Sequence, residues 1–188
     1  MSTSGALRSL PSGDSAVFYA SIYRQHFAFV WRSLRRLGVA DAELSDGAQE
    51  VFLVVFRKLP ELDRQSRLST WLYAVCLRVA SDWRRRGHRR YEVLAEEPVP
   101  QPTSEVTDTS DLRGLLAQAL QAMPLEQRAV FSAFELEGMS GEQIAEALGV
   151  PLATVHSRLR LAREKFRSVV TRERAREGKP LAGAKEAL

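Results

Sequence analysis

Apolar residues recur at three- and four-residue intervals in several separate stretches of this chain, the pattern of helices that bury one face. In the first stretch Phe18, Ile22, Phe29, Val30, Leu34 and Leu37 form a broad apolar face, with Arg32, Arg35 and Arg36 towards solvent. Asp14 or Ser15 can cap its start, and Gly38 ends it. A second helix is predicted over about 41–58, capped by Asp41 and closed by Pro60. Its first half carries Glu43, Asp46, Gln49 and Glu50; its second half, Val51 to Phe56, is wholly apolar. Six apolar residues in a row are too many for one face, so that helix is either surrounded or offers hydrophobic surface to another protein. A third helix, about 70–86 with Ser69 or Thr70 as its cap, interleaves Trp71, Leu72, Val75, Cys76, Val79 and Trp83 with Arg78, Arg84, Arg85 and Arg86.

The most structured pattern runs from Ser140 to Phe166. Ser140 followed by Gln143 fits a capping box, in which each side chain satisfies a backbone N–H at the helix start. Ala145 is small where two helices cross, and Gly149 falls where a turn needs positive φ. Pro151 fits the first position of the next helix, where its missing N–H costs nothing. Val155, Leu159, Ala162 and Phe166 then give one buried stripe, and Thr154, His156, Ser157, Arg158 and Arg160 lie on the other face. A plain amphipathic hairpin shares the stripe but has no need of the Ala, Gly, Pro and Val at these spacings. The stretch is predicted to be a helix-turn-helix whose second helix enters a DNA groove.

Charge changes the picture of the rest. The chain of 188 residues has a net charge of +4 and 45% hydrophobic residues, enough for packed cores. Residues 1–91 hold 15 Lys/Arg against 8 Asp/Glu, residues 92–111 none against 6, and residues 112–188 hold 12 against 9. Two basic lobes thus flank an acidic strip, and basic lobes favour a polyanionic partner. Pro98, Pro100 and Pro102 favour extended backbone, so 92–110 reads as a linker. Residues 1–13 are rich in Ser and Gly and are expected to be loose; 178–188 reads as a tail. In the third helix, arginines supply forked donors for phosphate and tryptophans supply planes for unstacked bases. The other reading of that helix makes both tryptophans core and the arginines a solubilising helix end.

One cysteine, Cys76, rules out an internal disulfide and suits a reducing cytoplasm. The apolar run Val51–Phe56 is six residues, too short to span a bilayer, and the start of the chain lacks a signal-peptide core. His26 has no second ligand at helical spacing. No Gly-rich phosphate loop, His/Cys metal cluster or nucleophile elbow is present, so neither catalysis nor a cofactor, metal or small-molecule substrate is expected.

Taken together, QEVFL, TWLY, EQRAVF, EGMS, IAEALGV and TVHSRL, in this order, resemble the sigma-70 family of RNA polymerase sigma factors, and within it the extracytoplasmic-function group. The resemblance covers about 15–91 and 112–170. It implies an all-α protein of two small helical domains, region 2 over 14–91 and region 4 over 111–177, joined by the flexible acidic linker. It implies a cytoplasmic initiation factor that joins the β and β′ subunits of core RNA polymerase and directs it to promoter DNA, with an anti-sigma factor as a further partner and no insertion in a membrane. Asp46, Gln49, Glu50 and Phe52 would dock on polymerase. Arg64, Arg67, Trp71, Arg78, Trp83, Arg84 and Arg85 would read the −10 element and help open the strands. Thr154, His156, Ser157, Arg158, Arg160 and Arg163 would read the −35 element. Three places depart from the family's common pattern: Leu77-Arg78, Leu44 to Ala48, and Leu161. The other reading is a two-domain helix-turn-helix regulator that acts without polymerase.

Overall fold

The computed structural model describes residues 13–58, 68–94 and 112–176. Within them the elements are helical: α1 Gly13–Leu37, a 3-10 turn Asp41–Glu43, α2 Leu44–Lys58, α3 Leu68–Leu94, α4 Leu112–Gln121, α5 Leu125–Phe131, α6 Gly141–Leu148 and α7 Leu152–Arg176. A π-helical stretch, Ser132–Leu136, continues α5. The expectations for residues 1–12, for Arg64 and Arg67, for the proline-rich part of the linker and for the tail lie outside the described residues.

Helices α1 to α3 form the first lobe. Ile22, Val30, Leu34 and Leu37 of α1 are buried against Leu44, Ala48, Val51, Phe52 and Val55 of α2 and Leu72, Tyr73, Val75, Cys76, Val79 and Ala80 of α3. Gly38 has φ +94°, and Val39 N–H reaches back to Leu34 O at 3.1 Å, which ends α1 in a left-handed cap. The apolar half of α2 is divided. Val51, Phe52 and Val55 are buried, whereas Leu53 and Phe56 are exposed. At Gly47 the two helices run close, and a Cβ there would sit 3.4 Å from Leu34 Cδ1.

Helix boundaries differ from the sequence reading in several places. Helix α1 begins at Gly13, so Asp14 and Ser15 lie inside it rather than at its cap. Asp41 does not cap α2: it opens the 3-10 turn, and its carboxylate lies 3.1 Å from Arg35 Nε. A nearby guanidinium outcompetes the backbone for that carboxylate. Ser69 and Thr70 fall inside the first turn of α3, which begins at Leu68. Thr70 is buried there, its hydroxyl without a partner among the described residues. Helix α3 also continues through Gly87 to Leu94, three residues into the acidic strip. A single glycine costs a helix about 1 kcal/mol, too little to stop one whose flanking residues favour it.

The second lobe is built from α4 to α7. Helix α7 buries Val155, Leu159, Ala162 and Val169, and Phe166 stacks on Phe131 with ring centroids 5.3 Å apart. The lobes are packed together, not merely tethered. Ala129, Val130, Ala133, Met139 and Ile144 belong to the same core as the buried residues of α1 to α3. The Tyr73 hydroxyl donates to Ala129 O at 2.7 Å, Arg128 Nη1 donates to Leu37 O at 3.2 Å, and Arg36 pairs with Glu137.

Candidate nucleic-acid interface

The turn between α6 and α7 has the geometry its residues demand. Ser140 Oγ accepts from Gln143 N–H at 3.2 Å while Gln143 Oε1 accepts from Ser140 N–H at 2.7 Å. Gly149 has φ +63°. Pro151 stands one residue before the first position of α7, where its carbonyl accepts from the N–H groups of Thr154 (2.9 Å) and Val155 (3.2 Å). A second glycine matters here: a Cβ on Gly141 would lie 3.0 Å from Leu152 Cδ1 and 3.4 Å from His156 Nε2, so its absence lets α7 close onto the start of α6.

The outer face of α7 then presents His156, Ser157 and Arg160 to solvent, with Thr154, Arg158 and Arg163 half-buried. Ser157 Oγ bonds to Thr154 O at 3.0 Å. Arg160 pairs with Glu164 at 2.6 Å. Arg163 is held more firmly, by Glu135 at 2.7 Å and by the Phe134 ring with 5.3 Å to the centroid. His156, Arg160, Arg163 and Arg167, together with Leu159 and Glu164, line an open depression of about 290 Å³. Four basic or imidazole groups on one side of a rigid helix suit phosphate and base-edge contacts.

On α3 the predicted readers fall on three sides. Trp71, Arg78 and Arg85 are seven residues apart in turn, so they share one stripe. Arg78 and Arg85 are exposed, Trp71 is half-buried against the core, and Arg85 pairs with Asp82. Trp83 turns towards α2, where its indole N–H donates to Glu50 Oε2 at 2.8 Å. Arg84 is exposed but close enough to Arg128 of the second lobe to repel it.

The residues expected to meet polymerase also separate. Asp46 and Gln49 are exposed on α2. Phe52 is not a surface residue; at 2% exposure it fills the core of the first lobe. Glu50 is turned to Trp83 and Arg86. The sequence reading missed Leu53 and Phe56, which complete an outward stripe with Asp46 and Gln49 at intervals of three and four. The signal was present in the unbroken apolar run, but nothing local told which of its members face out.

The junction of the lobes holds further residues that the sequence did not mark. Arg128, 7% exposed, donates to Leu37 O at 3.2 Å and to Gln121 O and Met123 O at 3.1 Å each. Two helix C-termini, those of α1 and α4, thus converge on one guanidinium and give it their negative dipole ends. Burial, then Arg84, pulls its pKa down to about 10. Burial also pushes the Tyr73 and Cys76 groups up. Glu137 is raised by burial, against the opposing pull of Arg36 and Arg32. His26 is half-buried, and burial lowers its pKa.

Among the described residues no group of three or more His, Cys, Asp or Glu could hold a metal ion. None of the described helices is long and apolar enough to cross a membrane. The family model for Sigma-70 region 2 matches residues 22–90, and that for Sigma-70, region 4 matches 113–166. The chain is 33% identical to the ECF RNA polymerase sigma factor SigE of Mycolicibacterium smegmatis, over 86% of this chain and 65% of that one. It thus spans just under two thirds of SigE. It is 32% identical to the ECF RNA polymerase sigma factor SigL of Mycobacterium tuberculosis, over 78% of this chain and 85% of that one. Two solved structures share the fold, each with a TM-score of 0.60. One is CnrH in complex with the cytosolic domain of CnrY (21% identical, 81% and 87% of the two chains covered). The other is the sigma factor RpoE in complex with the anti-sigma factor NepR from Bartonella quintana (22% identical, 79% and 96% covered). With region 2 on α1 to α3, region 4 on α4 to α7 and a SigL-like sequence across both, this chain belongs to the extracytoplasmic-function group of sigma-70 family RNA polymerase sigma factors.

Proposed function

We propose that the chain joins core RNA polymerase, through its β and β′ subunits, and directs it to promoters. The first lobe reads the −10 element and holds the opened strand along the Trp71, Arg78 and Arg85 stripe of α3. The second reads the −35 element with His156, Ser157 and Arg160 of α7, with Thr154, Arg158 and Arg163 at the edges of that face. The observation that carries the polymerase step is the outward stripe of α2, where Asp46 and Gln49 lie beside exposed Leu53 and Phe56. Large apolar side chains next to a carboxylate and an amide, on a rigid helix, suit a protein partner better than solvent or DNA. A lone helix-turn-helix binds weakly; fixing two weak readers to one platform raises their effective concentration without any new contact.

Strand opening in this account is driven by capture of bases that have left the stack, so it requires no hydrolytic chemistry and no cofactor, and the chain is not an enzyme. The setting is the cytoplasm, which a lone reduced cysteine suits. Both structural relatives were solved with a bound partner, CnrH with the cytosolic domain of CnrY and RpoE with the anti-sigma factor NepR. An anti-sigma factor is accordingly the proposed regulator of this chain. The test is equilibrium binding of the chain to core polymerase. Wild type should bind, and Asp46→Arg should weaken binding at least tenfold with unchanged helicity. A wild-type chain that binds promoter DNA but never core enzyme would instead make it a free-standing regulator.

A further inference from the structure

Glu50 is the member of the acidic half of α2 that the outward stripe leaves out. Successive helical residues are rotated by about 100°, so Glu50 faces differently from its neighbour Gln49. Its carboxylate spans two partners on α3. Oε2 accepts from Trp83 Nε1 at 2.8 Å, and Oε1 lies 3.4 Å from Arg86 Nη2. Trp83 and Arg86 are three residues apart, one above the other on the same side of α3. An indole N–H can only donate, and a half-buried tryptophan needs an acceptor for it. A charged acceptor held by a second helix fixes the ring about both side-chain torsions. The same carboxylate steadies Arg86, which is 63% exposed at its side chain and free to reach phosphate with its remaining N–H groups.

We infer that Glu50 is a positioning residue: it braces Trp83 and Arg86 against the polymerase-docking helix, so that α2 and the strand-reading end of α3 act as one rigid piece. This rests on the function proposed above. It assigns Glu50 a role different from that of Asp46 and Gln49, although all three stand within five residues. A contact residue and a brace differ in what their loss does. Losing a contact weakens core binding. Losing the brace leaves core binding intact and loosens Trp83 and Arg86, and with them the end of α3 that carries Arg85 of the strand-holding stripe.

The experiment compares the full chain with Glu50→Ala and Glu50→Gln in three readouts. The first is the Trp83 indole N–H resonance of the free protein, assigned with Trp83→Phe. The second is affinity for core polymerase. The third is the permanganate reactivity of opened thymines on a promoter taken from a run-off library. Glu50→Ala should move the Trp83 resonance, leave core affinity within about twofold and reduce opened complexes about tenfold. Glu50→Gln keeps an oxygen acceptor for the indole and should retain most of the opening. If both variants weaken core binding tenfold, Glu50 is a polymerase contact and the inference is overturned. Full strand opening by Glu50→Ala, despite a shifted indole, would also overturn it. Should wild type fail to bind core polymerase, the functional reading falls and this role with it, while the indole shift still reports whether the bond exists.

Discussion

Arg128 brings a positive charge into the seam between the lobes, and among the described residues no carboxylate pairs with it; three backbone carbonyls, from Leu37, Gln121 and Met123, accept from its Nη1 and Nη2 groups. The arrangement leaves no room beside Gly38, where a Cβ would fall 2.1 Å from Arg128 Nη1. Arg128→Met removes the donors and takes the guanidinium away from two buried acceptors, Leu37 O and Met123 O. It should destabilise the protein by about 2–3 kcal/mol, read as a lower midpoint in urea. A midpoint equal to wild type would mean that water replaces the guanidinium at no cost. None of this was legible in EQRAVF. The partner at Leu37 is 91 residues away, and an arginine in an amphipathic helix looks the same whether it faces solvent or a seam. Tyr73, whose partner is 56 residues away, was hidden for the same reason.

Among the elements, α2 and the helix-turn-helix show what a sequence can and cannot convey. Capping boxes, left-handed turns and proline starts are local stereochemistry, so Ser140, Gln143, Gly149 and the α7 stripe were readable from a short window. The facing of α2 was not. An apolar run satisfies every face at once, and only packing against α1 and α3 decided that Phe52 goes in while Leu53 and Phe56 stay out. Asp41 erred for a local reason, since Arg35 reaches it first. Gly47 departs from the family's usual acidic run, and the structure gives it space. With 3.4 Å to Leu34 Cδ1 and 3.8 Å to Val39 Cγ1, a methyl group fits in ordinary contact. Gly47→Ala should therefore stabilise the first lobe by about 0.5–1 kcal/mol, raising the midpoint of thermal unfolding. A fall would show that α1 and α2 cannot give even a few tenths of an ångström.

Over the whole molecule, the expected arrangement of two lobes on a linker is joined by something no composition reveals: the lobes dock through α1, α3, α5 and α6. Helix α3, the proposed strand reader, lies against α6 of the helix-turn-helix. In the function proposed above the lobes grip two separate promoter elements, and parting of this seam would free α3 from α6 for that task. Cys76, the only cysteine, is buried on α3 within electrostatic reach of Glu137 from the second lobe, and burial holds its thiol unreactive. It is therefore a natural reporter of opening. Tyr73→Phe removes one buried hydrogen bond across the seam, worth about 1 kcal/mol, and should speed alkylation of Cys76 about fivefold. An unchanged rate would mean that the first lobe alone shields the thiol.

In the proposed function this chain confers promoter recognition on core RNA polymerase. Reconstituted run-off transcription on a promoter library tests it most directly, with core enzyme alone, core enzyme with the chain, and core enzyme with the Asp46→Arg chain. Discrete transcripts should appear only when the wild-type chain is present, from templates sharing two separated elements, and should be lost with Asp46→Arg. The same basal, template-independent output in all three reactions would contradict it.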